Sequence, residues 1–205
     1  MGHAGMAATA VRYLRSVGAA TATAAPGAVD PLPRPDLRAV AHDERPPVDP
    51  GAFRQVLGHF ASGVTVVTAH GPDGPAGFAC QSFASLSLDP PLVAFMVART
   101  STTWPRIARA GAFCVNILGA GQGALCRGFA VSGADKFAGV GYAPAPATAS
   151  PLLDAVPAWV DCRIQAVHTG GDHLIVVGRV EALGATEGDE GPLLFHRGTF
   201  GRFES

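Results

Sequence analysis

Hydroxyls and cations cluster in one stretch of the chain: Arg99, Thr100, Ser101, Thr102, Thr103, Trp104, Pro105 and Arg106. The apolar run Leu92–Ala98 ends there, and a helix-starting pattern follows. Thr102 or Thr103 can cap that helix. Pro105 suits its first turn, where a missing N–H costs nothing. Free N–H groups beside hydroxyls, flanked by Arg99 and Arg106, would suit an anion such as phosphate. The same residues also read as an ordinary helix cap with two surface arginines, and residue type alone leaves both readings open.

The elements that must position this junction lie just before it. Val64–Ala69 is rich in β-branched residues and reads as a strand. His70–Pro75, with Gly71, Pro72 and Gly74, reads as a turn. Gly77–Leu88 reads as a second strand, closed by Asp89, Pro90 and Pro91, and Leu92–Ala98 as a third. Upstream, Phe53, Val56, Leu57 and Phe60 give Pro50–Ser62 one apolar helical face, and Gly63 ends it.

Downstream, Thr103–Ala110 reads as a helix with Trp104, Ile107 and Ala108 facing inward and Gly111 as its stop. Ala112–Leu118 is a strand, with Phe113, Val115 and Ile117 on one face and Cys114 and Asn116 on the other. Gly121–Ala130 is a short helix, followed by Asp135, Lys136, Phe137 and a proline-rich loop from Ala143 to Pro151. Ala158–His168 and His173–Leu183 flank the turn Thr169–Asp172 and read as an antiparallel hairpin. Pro192–Phe195 is a last short strand before an aromatic and basic tail. About six or seven strands and three or four helices, joined by short turns, argue for a closed or partly closed antiparallel barrel with helical decorations.

Composition narrows the rest. At 205 residues and 48% hydrophobic, the chain can bury one full core. A net charge of −1 gives no reason to expect nucleic acid or an anionic membrane as partner. Charged residues are only 15%, which favours a chain that covers part of its surface in an oligomer. Cys80, Cys114, Cys126 and Cys162 form no CxxC pair, so buried free thiols, no metal and a cytoplasmic, reducing home are expected. Residues 1–49 are rich in Ala, Thr and Pro and read as a flexible extension or an over-long start. Arg12, Tyr13 and Arg15 interrupt the apolar core that a secretory signal needs. The folded domain is expected over residues 50–205. Neither a P-loop nor a dinucleotide fingerprint is present: Gly119, Gly121 and Gly123 read GAGQGA, with no fingerprint acid about 20 residues on.

The segments GVTVVTA, GPAGFACQSFASLSLDPPLVAF, STTW, FCVNIL, FAVSGADKF, PLLDAVPAWVDCRI, GGDHLIVVGRV and PLLFHRGTFGRF recur in order. Together they make residues 50–203 resemble the flavin reductase family, the reductase partners of two-component flavin-dependent monooxygenases. The resemblance implies an FMN-binding split barrel, a homodimer with flavin near the subunit interface, and reduction of FMN or FAD by NADH or NADPH. It also implies delivery of reduced flavin to a separate monooxygenase.

Residue by residue, the flavin-lining segment corresponds to Gly77, Phe78, Ala79, Cys80, Gln81, Ser82 and Phe83, continued by Ser85 and Ser87. Ala79 stands where threonine is usual, Cys80 where alanine is, and Gln81 where asparagine is. These changes bear on flavin affinity and on FMN against FAD more than on the class of reaction. Arg99, Ser101, Thr102 and Thr103 match the phosphate-binding segment, and the resemblance favours the anion reading there. His173 matches a histidine beside flavin and nicotinamide, and Arg197 and Phe200 match the family's tail motif. Phe200 would shield the rings or close the barrel. Two alternatives remain: a flavoenzyme with tightly bound FMN acting on a small organic substrate, and a non-catalytic flavin-binding module.

Overall fold

The computed structural model describes residues 48–203 apart from 134, 187 and 189. The expectation of a flexible extension concerns residues that lie, but for Val48 and Asp49, outside the described ones. The first helix, α1 (Pro50–Leu57), starts on Asp49, whose carboxylate accepts the Ala52 N–H at 2.7 Å. It ends at Leu57, earlier than its apolar spacing suggested, and Phe53, Val56, Leu57 and the following Phe60 stay more than half exposed.

Strands β1 (Ser62–Gly63), β2 (Thr65–Gly71), β3 (Gly74–Cys80), β4 (Ala84–Leu88) and β5 (Pro91–Ala98) follow. The single expected strand Gly77–Leu88 is therefore two, broken at Gln81–Phe83. Helix α2 (Trp104–Ala110) buries Trp104 and Ile107, whereas Ala108 faces solvent. Gly111 ends α2 in the left-handed region, φ 68°. Strand β6 (Ala112–Ile117), a 3₁₀ turn (Ala120–Gln122), helix α3 (Gly123–Ala130) and strands β7 (Tyr142–Pro144) and β8 (Pro151–Leu153) come next. The expected proline-rich loop is thus framed by a small two-stranded ladder, β7 against β8. The long hairpin β9 (Ala158–Gly170) and β10 (His173–Ala185) turns on Gly171, φ 69°, and Asp172. The tail is not irregular: β11 (Leu193–His196) pairs with β12 (Thr199–Arg202).

The main sheet runs β3-β2-β6-β9-β10-β5-β4, antiparallel throughout. The described residues hold twelve strands in all, more than the sequence estimate, because short ladders at loop ends carry too few residues to show a period. The sheet encloses one core of Val67, Phe95, Phe113, Val115, Cys162 and Val176. A second core, on the other face of β2, packs Val66, Leu118, Phe129, Leu153 and Leu193. β2 is buried on both faces, so its run reads as continuous rather than alternating. Within the barrel, Phe95 meets Phe113 and Trp104 edge-on at 5.1 and 6.3 Å between centroids. At Gly178, β10 passes so close to the Phe113 ring that a Cβ there would lie 2.4 Å from it.

A buried polar knot joins the two cores. Asn116, fully buried, donates to the Val66 carbonyl and the Thr68 hydroxyl, both at 3.1 Å, and accepts the Leu153 N–H at 2.8 Å. The Thr68 hydroxyl donates to the Pro151 carbonyl at 2.5 Å. Buried Asp161 accepts the N–H groups of Ala147 and Thr148 at 2.8 and 3.0 Å and the Thr148 hydroxyl at 2.5 Å. These bonds pin residues 145–153 to the sheet and add to the apolar packing of Leu152 and Leu153 in the second core. Each orphaned buried partner costs about 1–3 kcal/mol. Asn116→Leu is therefore expected to lower stability by roughly 2–4 kcal/mol, read as a shifted urea midpoint with an unchanged slope.

Candidate functional site

The break between β3 and β4 makes the site. Ser82 lies in it, and its hydroxyl donates to the Met96 carbonyl at 3.0 Å and accepts the Met96 N–H at 2.9 Å. A side chain thus replaces a ladder pair, continuing the β4–β5 register of Ala84 opposite Ala94, and ties the segment after β3 to β5, the next-to-last strand at the far side of the sheet order. The chain turns there without leaving the Met96 backbone groups unpaired. Phe78 packs against Phe95 at 5.9 Å between centroids, which holds the same segment from the core side.

A cleft of about 510 Å³ opens over this segment. The β3 end supplies Phe78, Ala79, Cys80, Gln81 and Ser82; the β5 end and the following junction supply Met96–Ala98 and Thr100–Thr103. His173 comes from the start of β10, and Phe129, Ala130, Ser132 and Lys136 from α3 and the segment after it. His173 faces Ala98 across the β5–β10 ladder, and the Arg99 N–H bonds the Asp172 carbonyl at 3.0 Å. Two segments about 70 residues apart in sequence are brought together by strand register.

Nine of the sequence-named residues share this cleft: Phe78, Ala79, Cys80, Gln81, Ser82, Ser101, Thr102, Thr103 and His173. Ser85 and Ser87 sit on β4, paired with β5 at Val93 and Leu92, and line no part of it. Arg99 is exposed beside the β9–β10 turn, outside the cleft lining. Arg197, φ 49°, bonds the Gly58 carbonyl through its N–H at 3.0 Å. It lines a separate hollow of about 250 Å³ against α1, which touches the cleft only through Gln81. Phe200 packs edge-on to Phe195 at 5.5 Å, with the Arg127 guanidinium 5.7 Å from its centroid. Within this chain Phe200 closes the second core rather than facing the cleft.

The junction departs from its expected capping. Neither Thr102 nor Thr103 caps α2 through its side chain; the Ser101 hydroxyl accepts the Trp104 N–H at 3.2 Å. That leaves both threonine hydroxyls in the cleft wall without a capping role. Arg106 is likewise committed, donating to the Asp73 and Pro75 carbonyls at 2.8 and 3.0 Å.

Lys136 is the residue that sequence reasoning missed. Its ammonium donates to the Gly77 and Phe129 carbonyls at 3.2 and 3.0 Å, and partial burial lowers its pKa. The signal was its place in FAVSGADKF, but only the fold shows that α3 delivers it to the cleft. His173 Nδ1 lies 2.7 Å from the Asp172 carboxylate. A carboxylate only accepts, so Nδ1 carries the proton and Nε2 is left for a ligand. The hydrogen bond from His173 holds the exposed Asp172 carboxyl below the usual range.

With this geometry in hand, comparison with known proteins is informative. Residues 57–204 match the family described as flavin reductase like domain. The chain belongs to that family. It is 47% identical over 153 residues to the reductase subunit HsaB of a flavin-dependent monooxygenase from Rhodococcus jostii, covering 75% of this chain and 77% of that one. Nitrilotriacetate monooxygenase component B from Mycobacterium thermoresistibile aligns with TM-score 0.73 and 45% identity, over 75% of this chain and 86% of that one. The NADH:FAD oxidoreductase SgcE6 of Streptomyces globisporus, solved with NAD and FAD fragments, aligns with TM-score 0.72 and 35% identity, over 78% and 98%. The fold is the split barrel of these flavin reductases.

The cleft fits a flavin on its own chemistry. A floor of Phe78, Ala79, Met96 and Val97 suits a flat ring system, and the Ser101–Thr103 and Lys136 end suits a phosphate. Cys80 belongs to the same lining, and burial pushes its thiol pKa up, partly offset by the Ser82 hydroxyl at 3.3 Å. Cys162 is pushed up to about 12, by burial first and then by the Asp161 carboxylate. All four cysteines are free and buried. A raised pKa means less thiolate, so Cys80 in the native protein is expected to react with iodoacetamide at mildly alkaline pH at least about tenfold more slowly than an unfolded control. Site-resolved mass spectrometry over time checks this.

Proposed function

We propose that the chain is an NAD(P)H:flavin oxidoreductase that reduces FMN or FAD and supplies the product to a separate flavin-dependent monooxygenase. The observation that carries this reading is the single cleft that gathers Phe78–Ser82, Ser101–Thr103, Lys136 and His173 from four separate segments. Relatives whose names describe monooxygenase reductase subunits, and one crystallised with NAD and FAD fragments, support it.

When bound, the flavin supplies a ring atom that accepts hydride from the reduced nicotinamide. The chain's own work is placement. The Phe78–Ser82 segment, held by Ser82 to Met96, fixes one face and edge of the ring site. Thr102, Thr103 and Lys136 take the phosphate, with Ser101 alongside. Gln81 lies at the open rim, where its amide can both donate and accept. His173 presents Nε2 from the strand end to the nicotinamide amide, with Asp172 fixing the ring's orientation. Orientation of two rings is worth more here than proton transfer, so His173 acts as a positioning residue. Ser85, Ser87, Arg99, Arg197 and Phe200 would serve the flavin only from outside the cleft of this chain, and an adjacent subunit is the simplest route.

A homodimer is part of the proposal. Phe53, Val56, Leu57 and Phe60 expose 56%, 68%, 53% and 80% of their surface on and just after α1, an apolar face that a lone chain seldom leaves to water. Among the described residues no helix is long and apolar enough to cross a membrane. Four free thiols suit a reducing compartment, and we place the protein in the cytoplasm.

Three outcomes follow. Flavin-stripped protein, mixed anaerobically with excess flavin and NADH or NADPH, is expected to bleach many flavins per chain; a single turnover per chain would favour a bound prosthetic group, and no bleaching with any pairing would sink the reductase reading. In the same assay His173→Ala is expected to raise the KM for the pyridine nucleotide about tenfold with a smaller change in kcat. Sedimentation velocity of the full chain is expected to give a dimer, and a monomer at micromolar concentration would remove that part of the proposal.

A further inference from the structure

Two sulfur-bearing residues line the cleft, Cys80 and Met96. Cys80 is buried and its thiol pKa is raised, so little thiolate is present to react. Met96 is its opposite. In β5 it stands between Phe95 and Val97, which point into the first core, so its own side chain points out of the barrel. It is 44% exposed, whereas the other large apolar side chains of the lining, Phe78, Val97 and Phe129, are half-buried or buried. A thioether needs no deprotonation to react with an oxidant, so exposure alone decides its access.

Strand register sets that thioether beside the other cleft groups. Met96 stands opposite Ile175 and Ala98 opposite His173, so Met96 and His173 share one face of the β5–β10 ladder as diagonal neighbours. The strand cannot carry the side chain away: Ser82 fixes both Met96 backbone groups on one side, and β10 flanks β5 on the other. On the same face the neighbours are Ala94, Ala98 and Ile175, none with a side-chain donor. An oxygen added to the Met96 sulfur would therefore put an unpaired polar atom into a floor that suits a flat apolar ring. Met96 is also the only methionine beyond Met6, so methionine oxidation in residues 48–203 is oxidation at this cleft.

We propose that Met96 is a regulatory oxidation site, at which hydrogen peroxide converts the thioether to the sulfoxide and weakens flavin binding. The inference rests on the reductase reading, which supplies reduced flavin. Reduced flavin that meets dioxygen before it meets a monooxygenase gives up two electrons and two protons, and the products are oxidised flavin and hydrogen peroxide. The Met96 sulfur then attacks one peroxide oxygen. The O–O bond breaks, an S–O bond forms, and the other oxygen leaves as water; sulfur loses two electrons and the peroxide gains them. The chain thereby slows its own turnover when reduced flavin is not consumed, and a methionine sulfoxide reductase restores it.

The test treats the flavin-stripped full chain with hydrogen peroxide and follows two readouts: added oxygen at Met96 by site-resolved mass spectrometry, and the flavin dissociation constant by fluorescence titration. Met96 is expected to gain one oxygen at a rate within about threefold of that in the urea-unfolded chain. Flavin affinity is expected to fall about tenfold and to return after treatment with methionine sulfoxide reductase. Met96→Leu, compared with its own untreated sample, is expected to keep its affinity through the same exposure. During turnover in air with reduced pyridine nucleotide and excess flavin, the same oxygen is expected at Met96, and none when dioxygen is excluded. A Met96 that resists peroxide, an affinity that its oxidation leaves unchanged, an equal loss in Met96→Leu, or a Met96 unmodified by aerobic turnover would each overturn the inference while the reductase reading survives. A stripped chain that binds no flavin before any treatment would instead bring down the reductase reading itself.

Discussion

A sheet that curls until its ends meet must satisfy the backbone at the seam or leave it to water. Here the seam is Ser82 against Met96, one hydroxyl giving and taking a hydrogen bond with one residue of β5. Both bonds have ordinary lengths, 3.0 and 2.9 Å, and together they replace what a continuing strand would have made. The consequence is that Gln81–Phe83 need not pair, and the end of β3 can turn its side chains towards a ligand. Much of the cleft follows from this substitution: Phe78 is held by Phe95 from within, Cys80 is buried beside Ser82, and Gln81 is turned out to the rim. A methyl in place of that hydroxyl would free the Met96 N–H and carbonyl together, so the seam and the site are one structure.

The electrostatics of the cleft are spare. Arg106 and Arg109 are drawn to the β2–β3 turn, one by carbonyls and the other by Asp73 at 3.4 Å. The exposed Arg109–Asp73 pair adds little stability on its own. What faces the cleft is a set of neutral hydroxyls and one partly desolvated ammonium. Such a wall recognises a phosphate by directed hydrogen bonds and keeps a single charge close to it, where screening is weakest. The burial that lowers the Lys136 pKa would be opposed by a bound phosphate, so ligand and lysine favour one another's charged forms.

Much of this was legible in the sequence, and the reasons for the misses are physical. Val64–Ala69 showed as a strand by its β-branched residues, Leu92–Ala98 as a nearly all-apolar run closed by turn signals, and His173–Leu183 by alternation after a glycine turn. Nine cleft residues were named from two motifs and one histidine. The strand Gly77–Leu88 was read as unbroken although its apolar phase shifts between Cys80 and Phe83; nothing in the type of Ser82 says that its hydroxyl, rather than a neighbouring strand, completes the ladder. β7, β8 and β12 have 3–4 residues each, too short for a period. Lys136 was passed over because its role depends on α3 lying across β3, a long-range fact. Ser85 and Ser87 were named as the continuation of the segment, and the strand break carries them onto β4, outside the cleft lining of this chain.

The substitutions that set this chain apart can be weighed on the same geometry. Ala79 lies opposite Val66 in the β2–β3 ladder and packs towards the second core, so a hydroxyl there would need a partner that the apolar neighbours do not offer. Cys80 fills a buried place beside Phe95 and Trp104, and its thiol, kept neutral, can sit near a redox-active ring without competing for electrons. Gln81, exposed, is the only one of the three free to move, and it borders both the cleft and the hollow against α1. The longer amide therefore belongs to the rim, where a ligand enters and leaves, while of the two inner changes Ala79 gives up a hydroxyl and Cys80 adds volume in a buried place. Hydride transfer asks only that the rings be held flat and dry, and the substitutions leave that requirement intact.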